Sequence, residues 1–311
     1  MTNSKVFLTG GSGLVGKNIL EHSAAGKYEF FAPASSELNL FNFEAVKAYI
    51  AKIKPDFVIH AAGRVGGIQA NMAYPVEFLL ENLDMGRNVV WAARQCGVKK
   101  LINLGSSCMY PCNAPAPLKE EMILQGEFEP TNEGYGLAKV AVYKLAAYIS
   151  KQYPEFSYKT LIPCNLYGRW DKFAPEHSHM MPAVIRKLHL AKVKGEKSVE
   201  IWGDGKVRRE FMYAGDLADC IHKALTDFET MPELMNVGIG DDHSINDYYR
   251  AVAEVVGYKG VFNHDLTKPV GMVRKLVDIS RMKAWGWKPA TSLRDGIAAS
   301  YEFFEAGKAV K

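Results

Sequence analysis

No run of lysine and arginine reaches five residues in this chain, and no apolar run approaches the length that crosses a bilayer. The first absence argues against nucleic acid as a partner, the second against a membrane-spanning protein. Cysteine is sparse and odd in number: five residues, at 96, 108, 112, 164 and 220, without the spacing of metal ligands. Free thiols in a reducing cytoplasm are therefore expected, with no metal. There is no internal repeat and no low-complexity tract. The opening Met1-Thr2-Asn3-Ser4-Lys5 runs directly into an apolar strand pattern, so no signal peptide is expected. Charge is also modest, +4 net with 23% charged residues, which suits an anionic small molecule better than a polyanion. What remains is 311 residues at 48% hydrophobic content, enough for a large core and roughly one and a half to two domains.

The stretch Lys5–Gly16 organises the rest. Val6, Phe7 and Leu8 read as a strand buried on both faces. Glycines follow at 10, 11, 13 and 16, and a helical pattern then runs through His22. Strand, glycine turn and helix start make a phosphate site. Glycine lets the backbone turn tightly and approach a pyrophosphate, and the unpaired amides of the helix start point at its charge. A dinucleotide is expected there.

Further along, Tyr28–Ala32 reads as a second strand, Phe43–Ile53 as an amphipathic helix and Asp56–Ala62 as a third strand. Residues 64–71 read as a polar, glycine-bearing loop at the edge where open α/β sheets bind ligands. A long helix over Pro75–Cys96 and a strand over Lys99–Leu104 follow, then a proline-rich loop and a helix from about Asn132 to Gln152. Lys159–Pro163 is the next strand. Beyond Gly168 the alternation loosens into short strands and helices. The fold class expected is α/β, a Rossmann-type doubly wound parallel sheet. Residues 1–168, with returning segments near 211–240, form the dinucleotide-binding domain; 169–311 mainly form a smaller, discontinuous substrate domain.

At the tip of the second strand, Pro33–Ser36, an NAD site usually carries a carboxylate for the ribose 2′-hydroxyl. Here the first acid is Glu37, and Ser35 and Ser36 can accept a 2′-phosphate instead. NADPH is expected to be preferred by about tenfold, or about 1.4 kcal/mol. Tyr135 and Lys139 lie four apart on one helix face, and Ser106 closes the neighbouring strand. Hydroxyl, phenol and ammonium converging beside a nicotinamide make a site for moving a hydride at carbon and a proton at oxygen. The ammonium is expected to lower the phenol's pKa from near 10.

Thr9-Gly-Gly-Ser-Gly-Leu-Val-Gly16, Asn82, Ser106, Tyr135 and Lys139 resemble the extended short-chain dehydrogenases/reductases. Val65-Gly-Gly-Ile68, Ser106-Ser-Cys-Met-Tyr-Pro111, Glu129-Pro-Thr-Asn-Glu133, Asn165-Leu-Tyr-Gly168, Trp202-Gly-Asp-Gly205 and Arg208-Arg-Glu-Phe211 resemble more narrowly the GDP-L-fucose synthase family, over nearly the whole chain. That resemblance implies NADPH-dependent 3,5-epimerisation and C4-keto reduction of GDP-4-keto-6-deoxy-D-mannose. It also implies Cys108 and His179 as the proton-moving pair on opposite faces of the sugar, beside the reducing Ser106, Tyr135 and Lys139. A thiol and an imidazole, with reference values near 8.5 and 6.5, are both suited to this.

For the coenzyme the resemblance implies the turn Gly10, Gly11, Ser12, Gly13, Leu14, Val15 and Gly16, with Ser35 and Ser36. It adds the strand-end residues Ala61, Ala62, Gly63, Leu104, Gly105, Pro163, Asn165 and Leu166, and again Tyr135, Lys139 and His179. For the GDP-sugar it implies Val65, Ser107, Asn165, Arg186, Lys187, Trp202, Arg209 and Lys275, the last two as cations for the diphosphate. It further implies a homodimer in which the helices at Pro75–Cys96 and Asn132–Gln152 pair with their symmetry mates, Val89, Ala92, Ala93, Ala141, Leu145 and Tyr148 supplying apolar surface.

Three departures stand out: Arg169-Trp-Asp-Lys-Phe173 where the family has Pro-His-Asp-Asn-Phe, Pro269-Val-Gly-Met272 for Pro-Asp-Gly-Thr, and Pro163-Cys-Asn165 for Pro-Thr-Asn. They are expected to border the sugar, and they leave room for another GDP-4-keto sugar, a 3,6-dideoxy one giving GDP-L-colitose or a deoxyheptose. A 4,6-dehydratase is disfavoured because Ser107 and Cys108 stand where an acid pair is needed. A non-catalytic NADP-binding regulator is disfavoured because Ser106, Cys108, Tyr135, Lys139 and His179 are all present.

Overall fold

The computed structural model describes residues 3–174, 178–268 and 272–307. Strand β1 (Ser4–Thr9) leads through the glycine turn into helix α1 (Leu14–Glu21). Then come β2 (Tyr28–Phe31), α2 (Phe43–Ile53), β3 (Phe57–His60), α3 (Ile68–Ala73), α4 (Pro75–Gln95), β4 (Lys100–Leu104), α5 (Glu133–Gln152), β5 (Ser157–Pro163) and β6 (Asn165–Tyr167). The second half holds α6 (Met180–Lys194), β7 (Ser198–Trp202), β8 (Arg208–Arg209), β9 (Phe211–Tyr213), α7 (Ala214–Thr226) and β10 (Leu234–Val237). After these run β11 (His243–Ser244), α8 (Ile245–Val256), β12 (Val261–Asp265), β13 (Arg274–Lys275), α9 (Ser280–Ala284) and α10 (Leu293–Glu305).

Among the described residues the central sheet has six strands in the order β10-β5-β4-β3-β1-β2, every neighbouring pair parallel. The Val6-Phe7-Leu8 run is fully buried, as a strand covered by helices on both faces must be. One core lies under α1 and α7 and another under α2, α4 and α5. The order reverses at β1, which has β2 on one side and β3 on the other. The carboxyl ends of β1 and β3 therefore open a crevice, the place where such sheets bind ligands. A third core, built from Tyr167, Met181, Ile201, Phe211, Tyr248 and their neighbours, belongs to the second lobe. The sheet-returning strand is β10, whereas β9 pairs with β6 in a small separate sheet.

Two expectations change. Residues 64–71 are not all loop, because Ile68–Ala73 forms a helix with Asn71 donating back to the Gly66 and Gly67 carbonyls at 3.0 Å. Arg169 and Trp170, in the segment expected to border the sugar, direct their side chains onto α1 and α10 rather than among the other expected sugar residues. Trp170 adopts a left-handed backbone (φ 69°), its indole donates to Glu21 at 3.0 Å and packs 4.9 Å from the Phe303 ring, and Arg169 pairs with the same carboxylate at 2.9 Å. Both side chains are turned outward onto α1 and α10. Pro269–Gly271 and His177 lie outside the described residues.

Candidate active site

The glycine turn has the shape a pyrophosphate requires. Gly10 sits at φ 74°, and a Cβ there would stand 2.7 Å from the Ala62 nitrogen and 2.8 Å from the Ala61 carbonyl carbon. At Gly16 a Cβ would fall 2.2 Å from the Gly10 oxygen, so the helix can begin directly against the turn. Gly13 caps α1 with no side chain covering its first amides, which are left to face a ligand. Under the crevice, Ala62 N donates to Thr9 Oγ1 at 3.2 Å, and Thr9 Oγ1 lies 2.9 Å from His60 Nδ1. Burial, assisted by nearby Lys139, pushes the His60 imidazole down to about 3, so the ring is neutral where it hydrogen-bonds Thr9. His60 was not among the expected site residues because it sits inside an apolar strand. The cradle fits a dinucleotide.

At the second strand's tip, Ser35 and Ser36 are exposed. No carboxylate stands at 33–36, as expected, but the first acid after them turns back towards this tip. Glu37 folds back so that Oε2 accepts the Ala34 amide at 2.7 Å, closing the turn from within.

Above β4 the chain turns through Ser107–Met109. Ser106 caps this turn, its Oγ accepting the Cys108 amide at 3.2 Å. Tyr135 comes from the first turn of α5, with its hydroxyl towards Ser106. Lys139, one helical turn on, is buried, and its Nζ donates to the Leu104 carbonyl at 3.1 Å beside Gly63. Gly136 makes this approach possible, since a Cβ there would meet the Cys108 carbonyl at 2.7 Å. Asn82 fixes the facing loop by accepting the Arg64 amide at 3.0 Å and donating to the Arg64 carbonyl at 3.1 Å.

The phenol's shift runs opposite to the expected direction. Burial raises Tyr135 and Cys108 adds to it, while the Ser106 hydroxyl only partly opposes them. Lys139 is itself pushed down to about 8 by burial. Tyr135 is thus held as a neutral phenol, the form that donates a proton.

Cys108 Sγ has a neighbour from far along the chain, Lys275, whose Nζ lies 3.3 Å away. Asn132, just before α5, points its amide at the same sulfur at 3.5 Å. Asn132 was absent from the expected site, although it lies within the Glu129–Glu133 motif. Arg209 is enclosed near Cys108 and Glu129 and donates from Nη1 to the Arg208 carbonyl at 2.8 Å. Ser107 is buried and Val65 exposed. Asn165 directs its amide at the Glu210 carbonyl at 2.8 Å. His179 precedes α6, and the carbonyl of its neighbour Ser178 sits where a Cβ on Gly67 would come within 3.3 Å. This segment therefore abuts the Val65–Ile68 loop. Burial, then the charge of Lys172, lowers the His179 imidazole from its ordinary value.

Ser106, Cys108, Tyr135, Lys139, Arg209 and Lys275 are thus brought into one cluster. Arg186, Lys187 and Trp202 stand apart on α6 and β7 of the second lobe. There Lys187 donates to the Glu200 carbonyl, and Trp202 donates to the Glu200 side chain at 3.1 Å. Among the described residues no group of three His, Cys, Asp or Glu could hold a metal, and no helix is long and apolar enough to cross a membrane.

The model of the NAD dependent epimerase/dehydratase family matches residues 6–238. The chain belongs to this family. It is 51% identical to a GDP-L-colitose synthase from Yersinia pseudotuberculosis, over 96% of this chain and 97% of that protein. It is equally 51% identical to a GDP-L-fucose synthase from Azorhizobium caulinodans, over 98% of both. Among solved structures, a GDP-mannoheptose C4 reductase from Campylobacter jejuni with NADP bound superposes with a TM-score of 0.89 at 35% identity, covering 98% of this chain and 99% of that one.

Proposed function

We propose that this chain is an NADP(H)-dependent oxidoreductase and isomerase that inverts C3 and C5 of GDP-4-keto-6-deoxy-D-mannose and reduces its C4 ketone, giving GDP-L-fucose. The observation that carries the reading is the turn after β4. Its first residue, Ser106, holds the reducing phenol, and its third, Cys108, presents a thiol to the same space. A reductase alone has no use for that thiol. A ketone at C4 acidifies the hydrogens on C3 and C5, so inversion needs one group to remove a proton and another to return one from the opposite face.

Bound in the glycine cradle, NADPH supplies the hydride for C4. Gly10–Gly16 and α1 hold its pyrophosphate, Ser35 and Ser36 receive the 2′-phosphate, and Ala61–Gly63, Leu104, Gly105 and Pro163–Leu166 flank it. Tyr135 gives its proton to the C4 oxygen, Ser106 orients that oxygen and Lys139 fixes the geometry beneath. Cys108 and His179 exchange protons with C3 and C5. Arg186, Lys187, Trp202, Arg209, Val65 and Ser107 receive the GDP-sugar. Residues 1–168 with the strand β10 form the coenzyme half, and 169–311 mainly the substrate half. The enzyme works in the cytoplasm as a homodimer.

The equal identity to a GDP-L-colitose synthase supports a second reading, in which the substrate is the 3,6-dideoxy sugar. That sugar has a methylene at C3, so only C5 is inverted. One experiment tests both. The pure protein is incubated with each 4-keto sugar and NADPH in D₂O, and the products are read by NMR. GDP-L-fucose labelled at C3 and C5 is expected. Turnover of the dideoxy sugar alone replaces the first reading with the second, and no NADPH oxidation with either removes both.

A further inference from the structure

We propose that Lys275 is a positioning residue for Cys108: its ammonium holds the sulfur in place and stabilises the negative charge it carries at one end of the proton transfer. This rests on the epimerase reading of Cys108 and assigns the lysine a task other than binding the diphosphate.

The fold builds the contact deliberately. Strand β13 runs parallel to β8, with Arg274 opposite Arg208 and Lys275 opposite Arg209. Alternate residues of a strand point to opposite faces. On one face Asp242, almost wholly buried, takes both arginines, Arg208 at 2.6 Å and Arg274 at 2.5 Å. The other face is left with Arg209 and Lys275, turned towards Cys108. Glu210 fixes the depth of this arrangement by accepting the Val277 amide at 3.0 Å and the Gly240 amide at 2.8 Å, while its own amide donates to the Lys275 carbonyl at 3.2 Å.

Lys275 is 8% exposed, yet among the described residues it forms no ion pair with a carboxylate. A buried ammonium without a counter-charge is costly. The hydrogen bond the structure gives it runs to Cys108 Sγ at 3.3 Å, within the range for sulfur. Asn132 Nδ2 donates to the same sulfur at 3.5 Å, while the Cys108 backbone is held by Ser106 Oγ on its amide and by α5, whose Gly136 lies against its carbonyl. An ammonium at hydrogen-bond distance orients the sulfur, and once the sulfur carries charge in the reaction the contact becomes a charge-assisted hydrogen bond.

In the step this serves, anionic Sγ takes a proton from the carbon beside the C4 carbonyl. The C–H bond breaks, an S–H bond forms, and the C–H electron pair moves into an enolate with its charge on the C4 oxygen. The His179 imidazolium then gives a proton to the opposite face, re-forming C–H and the ketone and leaving neutral imidazole. Water returns a proton to His179 and takes one from the thiol.

The test needs no sugar. Iodoacetamide alkylation of Cys108 is followed by mass spectrometry at pH 7.5 in wild type, Lys275→Met and Lys275→Arg, with Cys108→Ser as blank. We expect alkylation to slow at least tenfold in Lys275→Met and to recover most of its rate in Lys275→Arg. With substrate, kcat for deuterium entry should fall in Lys275→Met more than KM rises. Unchanged alkylation, with only KM raised, would reduce Lys275 to a phosphate contact and overturn the proposal. Circular dichroism monitors folding; if the Met variant does not fold, Lys275→Gln takes its place in the same comparison. Failure of the protein to turn over any GDP-keto sugar sinks the proposed function but leaves the alkylation result standing, so the two failures are distinct.

Discussion

Tyr135 stands half-buried against Ser106, edge-on to the Phe78 ring at 6.4 Å, so removing its hydroxyl leaves the packing in place. Tyr135→Phe is therefore expected to fold and bind NADPH normally but to lose reduction by about 10²–10⁴-fold, the usual weight of a general acid. NADPH oxidation near the wild-type rate would end its assigned role. His179 yields a second prediction, with a definite sign. Burial and then Lys172 lower its imidazole, so the proton-delivering form is present at low pH and is lost as pH rises through a value below the ordinary 6.5. The kcat/KM for deuterium entry should fall with rising pH along that limb. Lys172→Gln removes the lesser of the two causes and should move the limb upward; an unmoved limb would mean that His179 is not the titrating group. The Tyr-x-x-x-Lys pair was legible in the sequence because helical spacing alone puts both residues on one face. The direction of the phenol's shift was not, since it depends on burial against Cys108, which no spacing reports.

At the scale of elements, the glycine turn was readable because its requirement is local: a left-handed Gly10, and a Gly16 against which nothing larger fits. The β8–β13 pair was not readable. Two-residue strands carry no periodicity, and the contact between Lys275 and Cys108 joins positions 167 residues apart. The outward fold of Arg169 and Trp170 was hidden for the same reason, since it is fixed by Glu21 and Phe303 from distant helices. The tip of β2 lies between these cases. The absence of an acid at 33–36 is visible in the sequence, but the return of Glu37 to the Ala34 amide is a turn closure that only the structure shows. If Ser35 and Ser36 receive the 2′-phosphate as proposed, the Glu37 carboxylate stands in the same turn and opposes its charge. Glu37→Gln keeps an acceptor for the Ala34 amide and removes the charge. It should tighten NADPH about tenfold, or about 1.4 kcal/mol, with little change for NADH. Paired fluorescence titrations decide this; equal tightening of both coenzymes would show that the charge does not bear on the 2′ position.

Across the whole molecule, α4 and α5 pack so closely that a Cβ on Gly86 would fall 2.3 Å from a Val142 methyl, leaving their outer faces as one surface. The residues expected to supply that surface are in part the wrong ones. Val89, Ala92 and Ala93 are fully buried, because on α4 they face the sheet and the core that lies under α2. Helical phase explains the error: a helix apolar on more than one side does not declare which side is covered. The exposed stripe of α4 is Val76, Leu80 and Trp91, spaced at four and eleven residues, and that of α5 is Leu137, Ala141 and Tyr148. Val76 at 61%, Leu80 at 49% and Tyr148 at 62% exposure are more apolar surface than a lone helix pair usually shows to water. We expect a second copy related by a twofold axis to cover this stripe, making four helices of two. The double variant Leu80→Glu, Tyr148→Glu places like charges against each other across the axis while touching neither the glycine cradle nor Cys108. It should run as a monomer in light scattering at concentrations where wild type runs as a dimer, and it should still alkylate at Cys108 at the wild-type rate. A wild type that is monomeric at micromolar concentration would remove the dimer, and a double variant that stays dimeric would place the interface elsewhere.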